Sequence, residues 1–120
     1  MSKKILITDD DPDINEILSI FLGSRGYDAI NDISGEKVEQ LELIKPDLIL
    51  LDTMLKGKDG RDICRKIKNE PAYKNIPVIF VSANANLPEI ARDCKADGYL
   101  QKPFELNELG QLLATHLNGI

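Results

Sequence analysis

The stretch Ile5-Leu6-Ile7-Thr8-Asp9-Asp10-Asp11-Pro12-Asp13 changes character at Thr8. Before Thr8 lies a short, continuous apolar run, suited to a strand buried on both faces. After it come acids and then a helix start, with Asp11 placed to cap the helix and Pro12 at its first position. A buried strand that runs through acids into a helix is the opening of a βα unit. The pattern recurs: Leu48-Ile49-Leu50-Leu51 runs into Asp52, and Val78-Ile79-Phe80-Val81 runs into Ser82-Ala83. Two more polar segments, Tyr27-Asp28-Ala29-Ile30 and Tyr99-Leu100-Gln101, suit edge strands, and the second runs into Lys102-Pro103.

Between these strands the apolar period becomes helical. Ile14, Ile17, Leu18, Phe21 and Leu22 share one face, and Gly26 is a natural stop. A second helix is predicted from near Ser34, burying Val38, Leu41 and Ile44. A third is predicted over about Asp59 to Lys68, with Ile63 and Ile67 inward, ending before Pro71. A fourth begins near Pro88 with Ile90, Ala91 and Cys94. The last spans about Glu105 to Leu117, with Leu106, Leu109, Leu112 and Leu113 inward and Gly110 weakening it. Five βα units joined by right-handed crossovers give an α/β fold, a doubly wound parallel sheet of five strands. Polar second and fifth strands belong at the edges, which fits the order 2-1-3-4-5.

The chain has 120 residues, so residues 1–120 are expected to form a single domain. It holds 20 acids against 15 bases, a net charge of -5. Asp9, Asp10, Asp11, Asp13 and Glu16 supply that whole excess within one short stretch. Such a chain repels nucleic-acid phosphates, so no direct nucleic-acid binding is expected. No apolar run is long enough for a membrane helix and no signal peptide is evident, so a cytoplasmic location is expected. Cys64 and Cys94 have no metal-ligand spacing and read as buried thiols. Aromatics make up only 5%, so Ile, Leu and Val must build the core.

In a doubly wound sheet the site lies at the carboxyl ends of the strands, beside the switch point between the first and third. Asp9, Asp10, Asp52, Ser82 and Lys102 meet there. Crowded carboxylates must either hold their protons or share a cation, and an oxygen-only ligand set selects Mg²⁺. Asp10 and Asp52 are expected to bind the ion directly, with a backbone carbonyl from the loop after Asp52, and Asp9 through water. The Asp52 carboxylate can attack a phosphoryl group to give an aspartyl phosphate. Mg²⁺ and Lys102 would neutralise the transferring oxygens, and Ser82 would hydrogen-bond one of them. Asp11 and Asp13 are expected to serve the helix start. Lys102-Pro103 suits a cis proline.

At these residues the chain resembles a response-regulator receiver domain of two-component signalling, of the chemotaxis-receiver, flavodoxin-like (βα)5 type. The resemblance rests on Ile5 through Asp11, Leu50 through Leu55 with Asp59-Gly60, Pro77 through Ala83, and Asp97 through Phe104, in order along the whole length. It implies that Asp52 is the phosphoacceptor and that Asp9 and Asp10 are the acidic Mg²⁺ pair, with Met54 giving its backbone carbonyl to the metal. It implies phosphoryl contacts from Ser82 and Lys102, a rotamer switch at Tyr99, and tuning of phosphoryl lifetime by Met54 and Asn84. The implied donor is a sensor histidine kinase or a phosphotransfer protein. The domain would be no general enzyme and would catalyse only its own phosphorylation and dephosphorylation. Its output would be a change of the face made by the fourth helix, fifth strand and fifth helix, and a phosphorylation-dependent homodimer is one form that output takes.

Departures from the family pattern are specific. Lys56 stands where a proline is usual, Lys58 adds a second charge, and the span from Ala83 to Tyr99 is about two residues short, so a short or shifted fourth helix is expected. Of two rival readings, an electron carrier shares this topology, and a phosphatase shares the strand-end Asp with Mg²⁺ but belongs to a fold for which this chain is short. A flavodoxin-like electron carrier needs a Ser/Thr/Gly-rich phosphate loop after the first strand, where this chain has acids. A haloacid-dehalogenase-like phosphatase needs a second Asp two residues after its nucleophile, where this chain has Met54. His116 is placed to favour the end of the last helix.

Overall fold

The computed structural model describes residues 2–117. The apolar runs become strands β1 (Lys4–Thr8), β3 (Leu48–Leu51) and β6 (Val78–Ser82), flanked by β2 (Asp28–Asp32) and β7 (Gly98–Gln101). They form one sheet in the order β2-β1-β3-β6-β7, every neighbouring pair parallel. This is the expected 2-1-3-4-5 order, because the remaining two strands lie outside the sheet. β4 (Met54–Leu55) and β5 (Lys58–Asp59) pair antiparallel as a small hairpin directly after Asp52.

Side chains alternate across the central strands and are apolar on both sides. Ile5, Ile7, Leu48, Leu50, Ile79 and Val81 face one core, with Leu18, Leu22, Leu109 and Leu113. Leu6, Ile49, Leu51, Val78 and Phe80 face the other, with Val38, Leu41, Cys64, Ile67, Leu87 and Ala91. Each fully buried Leu or Ile contributes about 1.5–3 kcal/mol relative to exposure.

The first core is covered by α1 (Pro12–Ser24) and α5 (Leu106–Leu117). Asp11 caps α1 as expected, accepting from the Asp13 N–H at 2.9 Å, and Pro12 opens the helix. The buried stripe of α1 is Asn15, Leu18 and Leu22, a rotation that leaves Ile17 at 52% exposure rather than inward. Asn15 takes the first position of the stripe, where its amide binds two loop carbonyls at the site. Leu106 likewise is 39% exposed, since α5 turns Leu109, Gly110 and Leu113 to the sheet. His116 sits in the last turn of α5.

The second core is covered by shorter pieces: α2 (Leu41–Ile44), α3 (Gly60–Asn69) and α4 (Leu87–Asp93). The single helix expected from Ser34 divides into a 3₁₀ turn, Lys37–Glu39, and the single turn of α2, which Lys45 ends in a left-handed conformation. Val38 and Leu41 are buried, as expected. The fourth helix is short, as the missing residues imply. Cys64 and Cys94 are free and buried, and burial pushes the Cys64 thiol up to about 12.

Candidate functional site

Parallel hydrogen bonding continues past the strand ends and fixes the site's corners. The Asp52 N–H donates to the Thr8 carbonyl at 3.0 Å, and the Lys102 N–H to the Ser82 carbonyl at 2.9 Å. Asp9, Asp52, Ser82 and Lys102 are thereby set on one edge of the sheet. Gly60 lets α3 begin against this edge, because a Cβ there would lie 1.9 Å from the Asp52 carbonyl oxygen. Asp59 caps α3 through the Arg61 N–H at 2.9 Å.

The central contact is Lys102. Its ammonium donates to Asp9 Oδ2 at 2.8 Å and to Asp52 Oδ2 at 3.1 Å. Asp9 is only 3% exposed, and its other oxygen accepts from the Asp11 N–H at 3.0 Å. Burial raises the Asp9 pKa, and its bonds to Lys102 and to the Asp11 N–H offset only part of that effect. Burial pulls the Lys102 pKa down, but its hydrogen bonds and charge contacts with Asp9 and Asp52 outweigh this and leave it raised. Lys102 therefore stays charged. The Lys102–Pro103 peptide is cis, as expected.

Asp10 is half-buried next to Asp9. The Met54 N–H donates to Asp52 Oδ1 at 3.3 Å, which folds the start of the hairpin over the carboxylate. Among the described residues no three His, Cys, Asp or Glu side chains form a ready-made cation site. The Lys102 ammonium lies between Asp9 and Asp52. The donor set nevertheless fits Mg²⁺: oxygen ligands only, with one carboxylate whose burial one lysine does not fully compensate.

Ser82 lies beneath this cluster, 3% exposed, with its Oγ 2.7 Å from Thr53 Oγ1. The Asn84 N–H donates to the same Ser82 oxygen at 3.2 Å. The Asn84 side chain accepts from the Asn86 N–H at 2.9 Å, so it shapes the loop into α4. Tyr99 lies apart from the acids, on edge strand β7, 44% exposed.

Thr53 and Asn15 belong to the site and were not expected from the sequence. Thr53 is fully buried, a lone hydroxyl following an apolar strand and an acid. Asn15 donates through Nδ2 to the carbonyls of Asp9 and Asp11 and pins the acidic loop. A polar residue in helical register with Leu18 and Leu22, at the head of their stripe, was the available signal.

The comparisons with known proteins agree with this geometry. Residues 5–114 match the family model for the response regulator receiver domain. The DNA-binding dual master transcriptional regulator RpaA of Synechocystis is 38% identical over 109 residues, covering 88% of this chain and 45% of RpaA. The chain spans about half the length of the curated relatives it matches. The receiver domain of a signal transduction histidine kinase from Syntrophus aciditrophicus superposes with a TM-score of 0.89 at 30% identity, covering 99% of this chain and 92% of that one. The receiver domain of sensor histidine kinase PA1611 from Pseudomonas aeruginosa gives 0.87 at 27%, covering 98% and 99%, and that structure carries magnesium in its active-site cleft. The electron-carrier and phosphatase readings find no support in these matches. No helix among the described residues is long and apolar enough to cross a membrane. With the sheet order, the strand-end acids and the bridging lysine in place, the match over residues 5–114 makes this chain a member of the response regulator receiver domain family.

Proposed function

We propose that Asp52 is the phosphoacceptor of this receiver and takes a phosphoryl group from a phosphohistidine on a sensor histidine kinase or phosphotransfer protein. The observation that carries this reading is the Lys102 ammonium shared between Asp9 and Asp52. A cation held at the nucleophile by two acids is placed to meet an incoming phosphoryl oxygen. In the step, an Asp52 carboxylate oxygen bonds to phosphorus, the phosphorus–nitrogen bond breaks, and the imidazole keeps the electron pair. Asp9, Asp10, Asp52 and the Met54 carbonyl are the residues proposed to hold Mg²⁺. When bound, the ion supplies charge neutralisation at the transferring oxygens.

Ser82 leaves Thr53 to hydrogen-bond the new phosphoryl group, which biases a pre-existing equilibrium between two states. Tyr99 is the proposed reporter of that shift, and Met54 and Asn84 are the residues proposed to tune the phosphoryl lifetime. The catalytic repertoire is confined to the domain's own phosphorylation and dephosphorylation. The acidic surface argues against direct contact with nucleic acid, so DNA binding of the kind named for RpaA is assigned to a part of such proteins outside this domain.

Incubation with Mg²⁺ and acetyl phosphate, followed by intact-mass measurement, tests the assignment. One phosphoryl adduct is expected on the wild type and none on Asp52→Asn. An unlabelled wild type, or a labelled Asp52→Asn, overturns it.

A further inference from the structure

Lys58, one of the two lysines that depart from the family pattern in the loop after Asp52, is not a free surface charge. It sits on β5 in the hairpin that carries Met54. Its ammonium donates to the Gly35 carbonyl at 3.0 Å and pairs with the Glu39 carboxylate. Gly35 makes room for the stem: its φ is +80°, and a Cβ there would lie 3.2 Å from Lys58 Cδ and 3.4 Å from Leu55 Cδ1. Leu55, the other side chain under this contact, is 6% exposed.

The loop that receives Lys58 is itself tied to the site. Asp32, at the end of β2, is 1% exposed and gathers four donors. The Gly35, Lys37 and Val38 N–H groups donate to its carboxylate at 3.0, 3.1 and 2.9 Å. Thr8 Oγ1 donates at 2.9 Å, and the Asp9 N–H donates to the Asp32 carbonyl at 3.3 Å. A closed circuit results. It runs from Asp52 through the hairpin to Lys58, across to Gly35 and Glu39, and through Asp32 to Thr8 and Asp9. Lys102 closes the circuit across the acids, and Lys58 closes it on the far side.

We propose that Lys58 is a positioning residue that straps the Met54-bearing hairpin to the β2 loop and so holds the metal- and phosphoryl-binding groups in register. The inference rests on the Asp52–Mg²⁺ reading above. Its sign is what separates it from simple electrostatics. Removing a cation near an acidic site strengthens Mg²⁺ binding by charge alone. Removing a strap weakens it.

Mg²⁺ dissociation constants by calorimetry, amide hydrogen exchange over residues 54–59, and labelling rates with acetyl phosphate are compared for the wild type, Lys58→Met, Lys58→Arg and Glu39→Gln. Lys56→Met is the charge control, on an exposed lysine in the same turn. Lys58→Met is expected to weaken Mg²⁺ binding about 3- to 10-fold and to speed exchange of the hairpin amides. Its labelling rate falls at limiting Mg²⁺ and recovers at saturating Mg²⁺. Lys58→Arg restores most of the affinity. Glu39→Gln moves the same way by a smaller factor, and adding it to Lys58→Met brings no further loss. Lys56→Met leaves binding unchanged or tighter. Unchanged or tighter binding in Lys58→Met with unaltered hairpin exchange overturns the strap. A wild type that neither binds Mg²⁺ nor labels overturns the underlying reading instead. Should Lys58→Met fail to fold, Lys58→Arg and Glu39→Gln decide the matter: wild-type affinity and hairpin exchange in Glu39→Gln overturn the strap.

Discussion

Both ends of this sheet carry aspartates paired with a lysine, and the two ends are wired differently. At the amino ends of β6 and β7, Asp97 accepts from the Val78 N–H at 2.8 Å and pairs with Lys68. The Lys68 ammonium also donates to the Lys74 and Ile76 carbonyls at 3.1 and 2.7 Å, so its side chain is 7% exposed with its donors used. At the amino end of β3, Asp47 accepts from the Lys4 N–H at 2.7 Å, and the Lys4 ammonium goes to the Ile44 carbonyl. Asp97, Lys68, Asp47 and Lys4 are each matched by a partner there. At the carboxyl ends two aspartates share one lysine, and burial still holds one of them away from its ordinary pKa. Saturated pairs fasten elements together. An under-compensated cluster keeps capacity for another cation and for a phosphoryl group.

The comparison breaks most visibly at the two lysines. Lys102→Met is expected to slow labelling by acetyl phosphate by about a hundredfold, the loss of one charged contact to the transferring group. With Mg²⁺ at saturation to replace the lost counter-charge, its urea midpoint is expected near that of the wild type, whereas in chelator the stranded Asp9 and Asp52 carboxylates lower it. Lys68→Met is the mirror image. It strands the Lys74 and Ile76 carbonyls and removes the partner of Asp97, at about 1–2 kcal/mol of stability after allowance for the partly exposed Asp97. Its labelling rate is unchanged while the protein is folded. If the two variants lose the same function in the same proportion, the two ends are not distinct.

A subtler separation is available through pH. The folded-state pKa of Asp9 lies above its ordinary 3.8, so between the two values the folded chain binds more protons than the unfolded one. Stability in the absence of metal therefore falls as pH rises through that window. Mg²⁺ needs the ionised carboxylate, so its affinity rises through the same window and then levels off. Thermal melts from about pH 4 to pH 7, with chelator and with Mg²⁺, should diverge as pH rises. Curves that stay parallel place Asp9 outside the metal site.

The strands, their order and the four site corners were legible because each depends on short-range chemistry. A continuous apolar run ending in an acid or hydroxyl reads the same in sequence and in space. The second helix was not, since Val38, Leu41 and Ile44 keep a helical spacing while Lys45 turns left-handed and stops it after one turn. The hairpin escaped because each of its strands has two residues and its turn rests on Lys56-Gly57, with Gly57 at φ +78°. Thr53 and Asn15 escaped for a different reason. Their roles are hydrogen bonds to atoms far apart in sequence or to backbone carbonyls, which periodicity does not encode.

The smallest expected effect bears on what the carboxyl end does with its one exchangeable bond. At the amino end Asp97 is held by both Lys68 and the Val78 N–H. At the site, Ser82 Oγ is held 2.7 Å from Thr53 Oγ1, and in the switch proposed above it leaves Thr53 to reach a phosphoryl oxygen on Asp52. Thr53 is fully buried, so its hydroxyl then loses its partner, and this opposes the switch by about 1 kcal/mol. Thr53→Val removes the opposition while Ser82 keeps the Asn84 N–H. The switched state should gain about fivefold in population at equal phosphoryl occupancy. Amide chemical shifts of Ser82, Ala83 and Tyr99 in the phosphorylated variant report it by moving further along the same path. If they stop at wild-type positions, the Thr53 bond does not restrain Ser82, and the driving contacts at Asp52 alone set the equilibrium.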